Sequence, residues 1–319
     1  MAGQPQGRTL VIRGGALGDF LLTLPALRAL RAASAHLEIL GYPGFVELAL
    51  GRGLVDAGRS IEYGPMAAFF ARGAVKDPAL REYFASFDLV LSYLYDPDGI
   101  FAENMRTAGV RRFVQGAHKP SGRLHAADEL SAPLQELGLG PVDKAARLAS
   151  PDSSARRSVI ALHPGSGSRS KNWPAANWHE LAAKLLVAYP QMRLAVIGGE
   201  ADSRELEVLA SLRGDPRVEF WENLDLVELA QQLQAAGGYI GHDTGVSHLA
   251  AVLDVPCLLL FGPTDPAVWA PPHEWVEILR APANDLAQLE VPTVLAAAGK
   301  HIVSGLLASP QRNQQNLPL

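Results

Sequence analysis

Cysteine is almost missing from this sequence: Cys257 stands alone among 319 residues. A single thiol excludes a disulfide framework and a cysteine-built zinc site, and it fits a reducing compartment. Long hydrophobic runs are missing too. None approaches the roughly 18 residues a membrane-spanning helix needs. The N-terminus does not read as a signal peptide, because Arg13 and Asp19 interrupt its apolar stretch. Nor is there a surplus of positive charge. With 28 Lys and Arg against 33 Asp and Glu, the formal net charge of −5 argues against a general nucleic-acid binder. The expectation is a soluble, cytoplasmic protein.

Apolar side chains are abundant: 48% of residues are hydrophobic and 19% charged. That composition builds buried cores and excludes a disordered chain. The length suits two domains. Short apolar runs alternate with amphipathic stretches from end to end. Leu10–Ile12, Leu37–Leu40, Asp88–Tyr93 and Arg112–Gln115 read as strands, with helices over Phe20–Leu30, Pro78–Phe87 and His125–Leu137. The second half reads more cleanly. Strands are expected at Val159–Leu162, Leu194–Ile197, Val218–Trp221, Gly238–Ile240 and Cys257–Phe261, with a sixth at Val276–Leu279. Helices are expected over Ala175–Tyr189, Ser203–Leu212, Leu226–Ala236 and Val246–Leu253. Strands separated by helices imply parallel sheets covered on both faces, the α/β doubly wound class.

The polar stretch Ser150-Pro151-Asp152-Ser153-Ser154 marks a domain break, giving domains over 1–150 and 151–319. The Gln- and Asn-rich tail 309–319 is expected to be poorly ordered. Residues 1–150 carry 16 Lys and Arg against 15 Asp and Glu, whereas 151–319 carry 12 against 18. Arg111, Arg112, Lys119 and Arg123 cluster in the first half, which favours an anionic partner there as much as a solvated face.

Four segments have the composition of ligand loops, each directly after a predicted strand. Arg13-Gly14-Gly15-Ala16-Leu17-Gly18-Asp19 opens the first helix. Its glycines allow a tight turn with accessible amides, but the GxGxxG spacing of a dinucleotide site is absent. Asp19 reads equally as a helix cap and as a general base at a cleft edge. His163-Pro164-Gly165-Ser166-Gly167-Ser168-Arg169-Ser170-Lys171 is a Gly/Ser loop aimed at a helix start, with a lysine able to reach phosphate oxygens. No Gly precedes Lys171 and Asn172 follows it, so it is not a Walker loop. In Gly241-His242-Asp243-Thr244-Gly245-Val246-Ser247-His248, Asp243 or Thr244 can cap the next helix and free amides can bind pyrophosphate. A Ser-His-Asp triad is rejected there, because the nucleophile-elbow pattern is missing. His242 and His248 have no evident third metal ligand. Gly198-Gly199-Glu200 ends another strand, where Glu200 reads equally as a ribose-hydroxyl acceptor and as an exposed helix-start carboxylate.

Taken together, these motifs resemble the heptosyltransferase family of glycosyltransferases, family 9. Gly18-Asp19 with Leu21-Leu22-Thr23-Leu24-Pro25-Ala26-Leu27 is similar to its N-terminal signature. His163-Pro164-Gly165-Ser166 with Lys171, Trp173, Pro174 and Trp178 resembles its donor-phosphate loop. Asp243-Thr244-Gly245 with His248, Ala250 and Ala251, then Phe261-Gly262-Pro263-Thr264, resembles its C-terminal signature. The resemblance covers most of the chain. It implies the GT-B architecture, two Rossmann-like domains facing across a cleft, with the acceptor on the N-terminal domain and a nucleotide sugar on the C-terminal one.

By the same resemblance the protein is an inverting, metal-independent transferase with no cofactor. It would move a heptose from ADP-heptose to a lipopolysaccharide-core or related glycan acceptor. Asp19 would be the catalytic base, and Ser166 and Lys171 would hold the diphosphate. Asp243, Thr244, Gly245 and His248 would line the donor site, with Glu200 beside them. The expected partners are the nucleoside-diphosphate sugar and a glycan or lipid-linked acceptor at the membrane surface, with no nucleic acid. The enzyme is expected to be monomeric, cytoplasmic or peripheral at the inner membrane, with domain closure on donor binding. The competing readings are a relative using a UDP- or GDP-sugar, an epimerase, and a non-catalytic nucleotide-sugar-binding protein. A nicotinamide-dependent dehydrogenase is disfavoured by the missing glycine spacing.

Overall fold

The computed structural model describes residues 6–73, 77–148 and 156–308. They fall into two compact units: Met1–Asp152 with Leu224–Gln231 and Asp265–His273, and Ser153–Asn223 with Gln232–Thr264 and Glu274–Leu319. The predicted boundary at 150/151 and the tail 309–319 lie outside the described residues. Asp265–His273 is tied into the first unit by two histidines. His125 Nε2 lies 2.9 Å from the Ala270 carbonyl, and His273 Nε2 lies 3.2 Å from the Ala146 carbonyl.

The first unit is a five-stranded sheet of β1 (Gln6–Arg13), β2 (Ser34–Gly41), β3 (Ala57–Ser60), β4 (Leu89–Ser92) and β5 (Phe113–Gln115). Its order is β3-β2-β1-β4-β5 and every pairing is parallel. Leu10, Val11 and Ile12 on the central strand are all fully buried, as a sheet covered on both faces requires. Leu10, Ile12 and Val90 pack with Phe69, Phe84, Phe87 and Phe101 in one apolar cluster.

Two local departures from the expected elements have simple causes. The helix expected over Phe20–Leu30 is two helices, Leu17–Leu22 and Leu24–Ala33, with Thr23 between them. Pro25 has no N–H to continue the ladder. Pro133 likewise divides His125–Leu137 into Ala126–Ser131 and Pro133–Glu136. Strand β3, Ala-Gly-Arg-Ser, carries no apolar run and was not expected; it forms an edge, held by its register from Glu38↔Ala57 to Gly41↔Ser60.

The second unit has six parallel strands: β6 (Val159–Leu162), β7 (Arg193–Gly198), β8 (Val218–Glu222), β9 (Gly238–His242), β10 (Cys257–Phe261) and β11 (Val276–Arg280). Their order is β11-β10-β9-β6-β7-β8. The core holds Ile160, Leu162, Leu194, Val196, Ile240 and Leu258 against the helix Ala175–Ala188, with Trp173 and Trp178 completely buried in edge-to-face contact at 5.3 Å. Among the described residues no helix is long and apolar enough to cross a membrane.

Candidate active site

Doubly wound sheets bind ligands outside the carboxyl ends of their strands, where the strand order reverses. In the second unit the reversal falls between β6 and β9. Two of the motifs picked out in the sequence therefore meet: the loop after β6, running from His163 to Asn172, and the turn after β9 at Asp243-Thr244.

Lys171 and Asp243, 72 residues apart, form an ion pair with Nζ 2.8 Å from Oδ2. The lysine side chain is one-third exposed and the aspartate nearly buried, at 32% and 9%. One proton of the ammonium is committed to Asp243, and two remain for another acceptor. Thr244 is the N-cap of the helix Gly245–Val252, its Oγ1 accepting the Ser247 N–H at 3.3 Å. The amides of Gly245 and Val246 precede the first intrahelical bond and point out of the helix start. Ammonium and amides thus face the same switch point, an arrangement suited to a diphosphate. His248 lies one turn further along that helix and is buried.

The loop is held by a buried polar scaffold. His242, fully buried, accepts the Trp173 N–H on Nε2 at 2.8 Å, and its Nδ1 faces the Gly165 carbonyl at 3.3 Å. Both ring nitrogens are used, so His242 is a staple between the ends of the loop and not a metal ligand. Trp173 Nε1 in turn donates to the Leu289 carbonyl at 2.8 Å. Ser166 shares its hydroxyl proton between the Ser168 carbonyl and Asn172 Oδ1, while Asn172 Nδ2 donates to Glu205 at 3.0 Å. Asn172, which removes the Walker pattern, therefore fixes the loop to the helix Ser203–Leu209.

Beneath the loop lies Asp202. Its Oδ2 accepts the Gly199 N–H at 2.9 Å and lies 3.7 Å from His163 Nε2. Burial works to raise this carboxyl, but His163, the Gly199 amide and His242 outweigh it and hold the group below the usual carboxylate range. Gly165 passes so close that a Cβ there would sit 1.8 Å from Asp202 Oδ1. On its other side His163 Nδ1 is 3.3 Å from the Tyr239 hydroxyl and 3.5 Å from Thr244 Oγ1, so this network joins the loop after β6 to the turn after β9.

His242 also makes the scaffold sensitive to acid. Burial is the main cause that pushes its pKa down to about 3, against a weaker opposing effect from the Gly165 carbonyl. An unfolded chain takes up that proton near pH 6.5. Between these values the unfolded state binds one proton more, so stability is lost as pH falls, by up to ~1.4 kcal/mol per pH unit. His242→Gln keeps an acceptor for Trp173 and a donor for Gly165 but does not titrate. It is expected to flatten the fall in denaturation midpoint between pH 6.5 and 5 by one proton. Equal slopes in the two proteins would show that His242 is already charged in the native state.

In the first unit the strand order reverses between β1 and β4, and the short helix that follows β1 carries Asp19. Asp19 is the third residue of the helix Leu17–Leu22, not its cap. Its Oδ2 reaches back to accept the Ala16 N–H at 3.0 Å, and its side chain stays 23% exposed. Gly15, at φ +89°, makes the turn; a Cβ there would press to 2.8 Å from that same Oδ2. Arg13, almost fully buried, places Nη2 3.7 Å from Asp19 Oδ1. Burial lowers the guanidinium pKa, with Asp19 and Tyr93 opposing. The carboxylate is therefore restrained on one oxygen, faces a buried cation with the other, and remains reachable from solvent.

The model of glycosyltransferase family 9 (heptosyltransferase) matches residues 110–297, more than half of the sequence. The chain belongs to this family. Over 296 residues, 81% of this chain and 79% of the relative, it is 28% identical to lipopolysaccharide heptosyltransferase 1 of Pseudomonas aeruginosa. The structure of E. coli ADP-heptose lps heptosyltransferase II overlaps 93% of this chain and 99% of that one, with a TM-score of 0.75 and 17% identity. E. coli heptosyltransferase WaaC with ADP-2-deoxy-2-fluoro heptose overlaps 92% and 99%, with a TM-score of 0.65 and 23% identity. The protein is a glycosyltransferase, and its two parallel-sheet units have the GT-B fold of these enzymes.

Within this family 9 glycosyltransferase, Lys171 pairs with Asp243 next to Thr244, Ser166 lies in the same loop as Lys171 with its hydroxyl turned to Ser168 and Asn172, and Gly245 and His248 follow on the capped helix. Glu200 does not join them. It is exposed at the neighbouring strand end, where it lines a cavity of about 340 Å³ with Gly199, Glu207, Arg213, Glu222 and Asn223. The buried carboxylate set against the loop after β6 is Asp202, two residues on. Its signal lay in the sequence: it stands three residues after Gly199, the spacing of a side chain that reaches back to a helix start. The basic cluster does not form as one group. Arg111 and Arg112 precede β5, paired with Asp88 and the Glu136 carbonyl, while Lys119 and Arg123 follow it at the opposite edge.

Proposed function

We propose that this glycosyltransferase moves a heptose from ADP-heptose to a lipopolysaccharide-core acceptor, binding the donor on the second unit and the acceptor on the first. The observation that carries the reading is the pairing of Lys171 with Asp243 beside the Thr244-capped helix, at the switch point of the second sheet. Family membership and the sugar nucleotide held by WaaC support it.

The acceptor oxygen forms its bond to the anomeric carbon as the bond from that carbon to the diphosphate oxygen breaks. The electron pair leaves with ADP and the hydroxyl proton passes to Asp19. Charge grows on the phosphate oxygens in this step, and the Lys171 ammonium with the Gly245 and Val246 amides stabilises it without a metal. Attack opposite the leaving group inverts the anomeric carbon. Asp243 orients the ammonium, and Ser166 holds the loop that carries it. Thr244 fixes the helix start, and His248 lines the donor site one turn on. Glu200 and the cavity around it take the nucleoside end, where a carboxylate can accept ribose hydroxyl protons. The acceptor chemistry brings the enzyme to the inner face of the membrane as a peripheral visitor.

The reading is tested by thermal shift with ADP, UDP and GDP, followed by incubation with ADP-heptose and heptose-deficient lipopolysaccharide core. Selective stabilisation by ADP, ADP release and an acceptor heavier by one heptosyl unit are expected. Preference for UDP or GDP would redirect the donor. ADP binding without transfer would leave a nucleotide-sugar-binding protein.

A further inference from the structure

The first unit carries a second feature at its switch point that the transfer chemistry above does not use. Tyr95 follows β4 and His118 follows β5, on the same carboxyl edge as Asp19. Tyr95 is 65% exposed, against 1% for Tyr93 two residues earlier. Its ring lies 4.6 Å from the His118 ring, tilted by 55°. The His118 carbonyl accepts from Arg13 Nη1 at 3.2 Å, and the other terminal nitrogen of that guanidinium faces Asp19. One buried cation thus ties the aromatic pair to the carboxylate. The loops after β1 and β4 also touch: a Cβ on Gly14 would meet Leu94 Cδ2 at 3.4 Å.

The backbone on both sides of Tyr95 is fixed. Gln115 Nε2 lies 2.9 Å from the Leu94 carbonyl. Asp96 accepts the Phe101 and Ala102 N–H groups at 3.0 and 2.9 Å, anchoring the helix Ile100–Thr107. A rigid scaffold that holds a large aromatic ring out in water, on the strand edge that also carries Asp19, has the character of a binding site. A tyrosine also offers a broad apolar face at low entropic cost.

We propose that Tyr95, steadied by His118, is the stacking platform for the acceptor sugar, its ring lying against the C–H face of the pyranose that presents its hydroxyl to Asp19. This rests on the transfer reading above. That reading already demands that the glycosylated ring lie within its own width of Asp19, and the neighbours on the β4–β5 side are Tyr95 and His118.

The test is steady-state kinetics with saturating ADP-heptose and varied de-O-acylated, heptose-deficient lipopolysaccharide core. Tyr95→Ala is expected to raise the acceptor KM about tenfold, the loss of one good aromatic contact, with kcat and donor KM little changed. Tyr95→Phe keeps the ring and is expected to stay near wild type, whereas Tyr95→Leu, apolar but without a flat face, behaves like alanine. An unchanged acceptor KM in Tyr95→Ala overturns the platform while leaving the transfer reading intact. So does a parallel fall in kcat for all three variants, which would mark Tyr95 as structural. If the wild type itself transfers nothing from ADP-heptose, the transfer reading fails and the platform falls with it.

Discussion

Asp19→Asn is expected to cut the transfer rate by roughly 10²–10⁴, the usual contribution of a positioned general base, while ADP binds as tightly as to the wild type. The substitution is close to isosteric. The amide oxygen can still accept the Ala16 N–H that Oδ2 accepts now, so the start of the helix Leu17–Leu22 is kept. What disappears is the capacity to take a proton, together with the negative charge that Arg13 faces at 3.7 Å. The groups proposed to hold the donor all belong to the second unit, so ADP titrated by calorimetry serves as an internal control. A variant with wild-type kcat would remove Asp19 from the chemistry. A variant that has lost both kcat and ADP affinity would point to a fold defect, which a thermal melt distinguishes.

Removing the ammonium has the second large effect. Lys171→Ala is expected to weaken ADP binding by about 10- to 100-fold, since a charge-assisted hydrogen bond contributes ~1.5–3 kcal/mol, and to lower kcat as well, because phosphate charge grows during the reaction. Part of this loss has another origin. Asp243 is 9% exposed and is left without its 2.8 Å partner, facing an incoming diphosphate of the same sign. The double variant Lys171→Ala/Asp243→Asn is therefore expected to bind ADP better than Lys171→Ala alone, a coupling that a double-mutant cycle isolates. Equal ADP affinity in wild type and Lys171→Ala by calorimetry would show that the ammonium does not touch the diphosphate.

The candidate site was legible in the sequence where its residues sit on one short segment. Gly/Ser loops, a capping threonine and a lysine after a strand are local patterns, and each loop lies at the carboxyl end of a strand because parallel sheets put all such ends on one edge. Contacts made across the chain were not legible there. His242 had the sequence of a metal candidate and has the contacts of a structural staple, which depend on Gly165 and Trp173, more than 65 residues away. Asp202, two residues after Glu200, went unnoticed: its spacing from Gly199 was there to read, but its place under the loop after β6, against Gly165 and His163, is decided by packing. Strand β3 escaped notice for a related reason: an edge strand is stabilised by its neighbour's hydrogen bonds, not by its own apolar content.

The order of residues by itself determined two parallel α/β units, because alternation of apolar runs with amphipathic stretches admits few other ways to bury both. It also determined which loops follow the carboxyl ends of the strands. Only the folded chain decided which side chains meet there: Lys171 with Asp243, Asp202 with His163, Arg13 with Asp19, Tyr95 with His118. Apart from Arg13 with Asp19, which meet across one turn, these pairings depend on which strands lie side by side, and strand order is a property of packing that no single segment encodes.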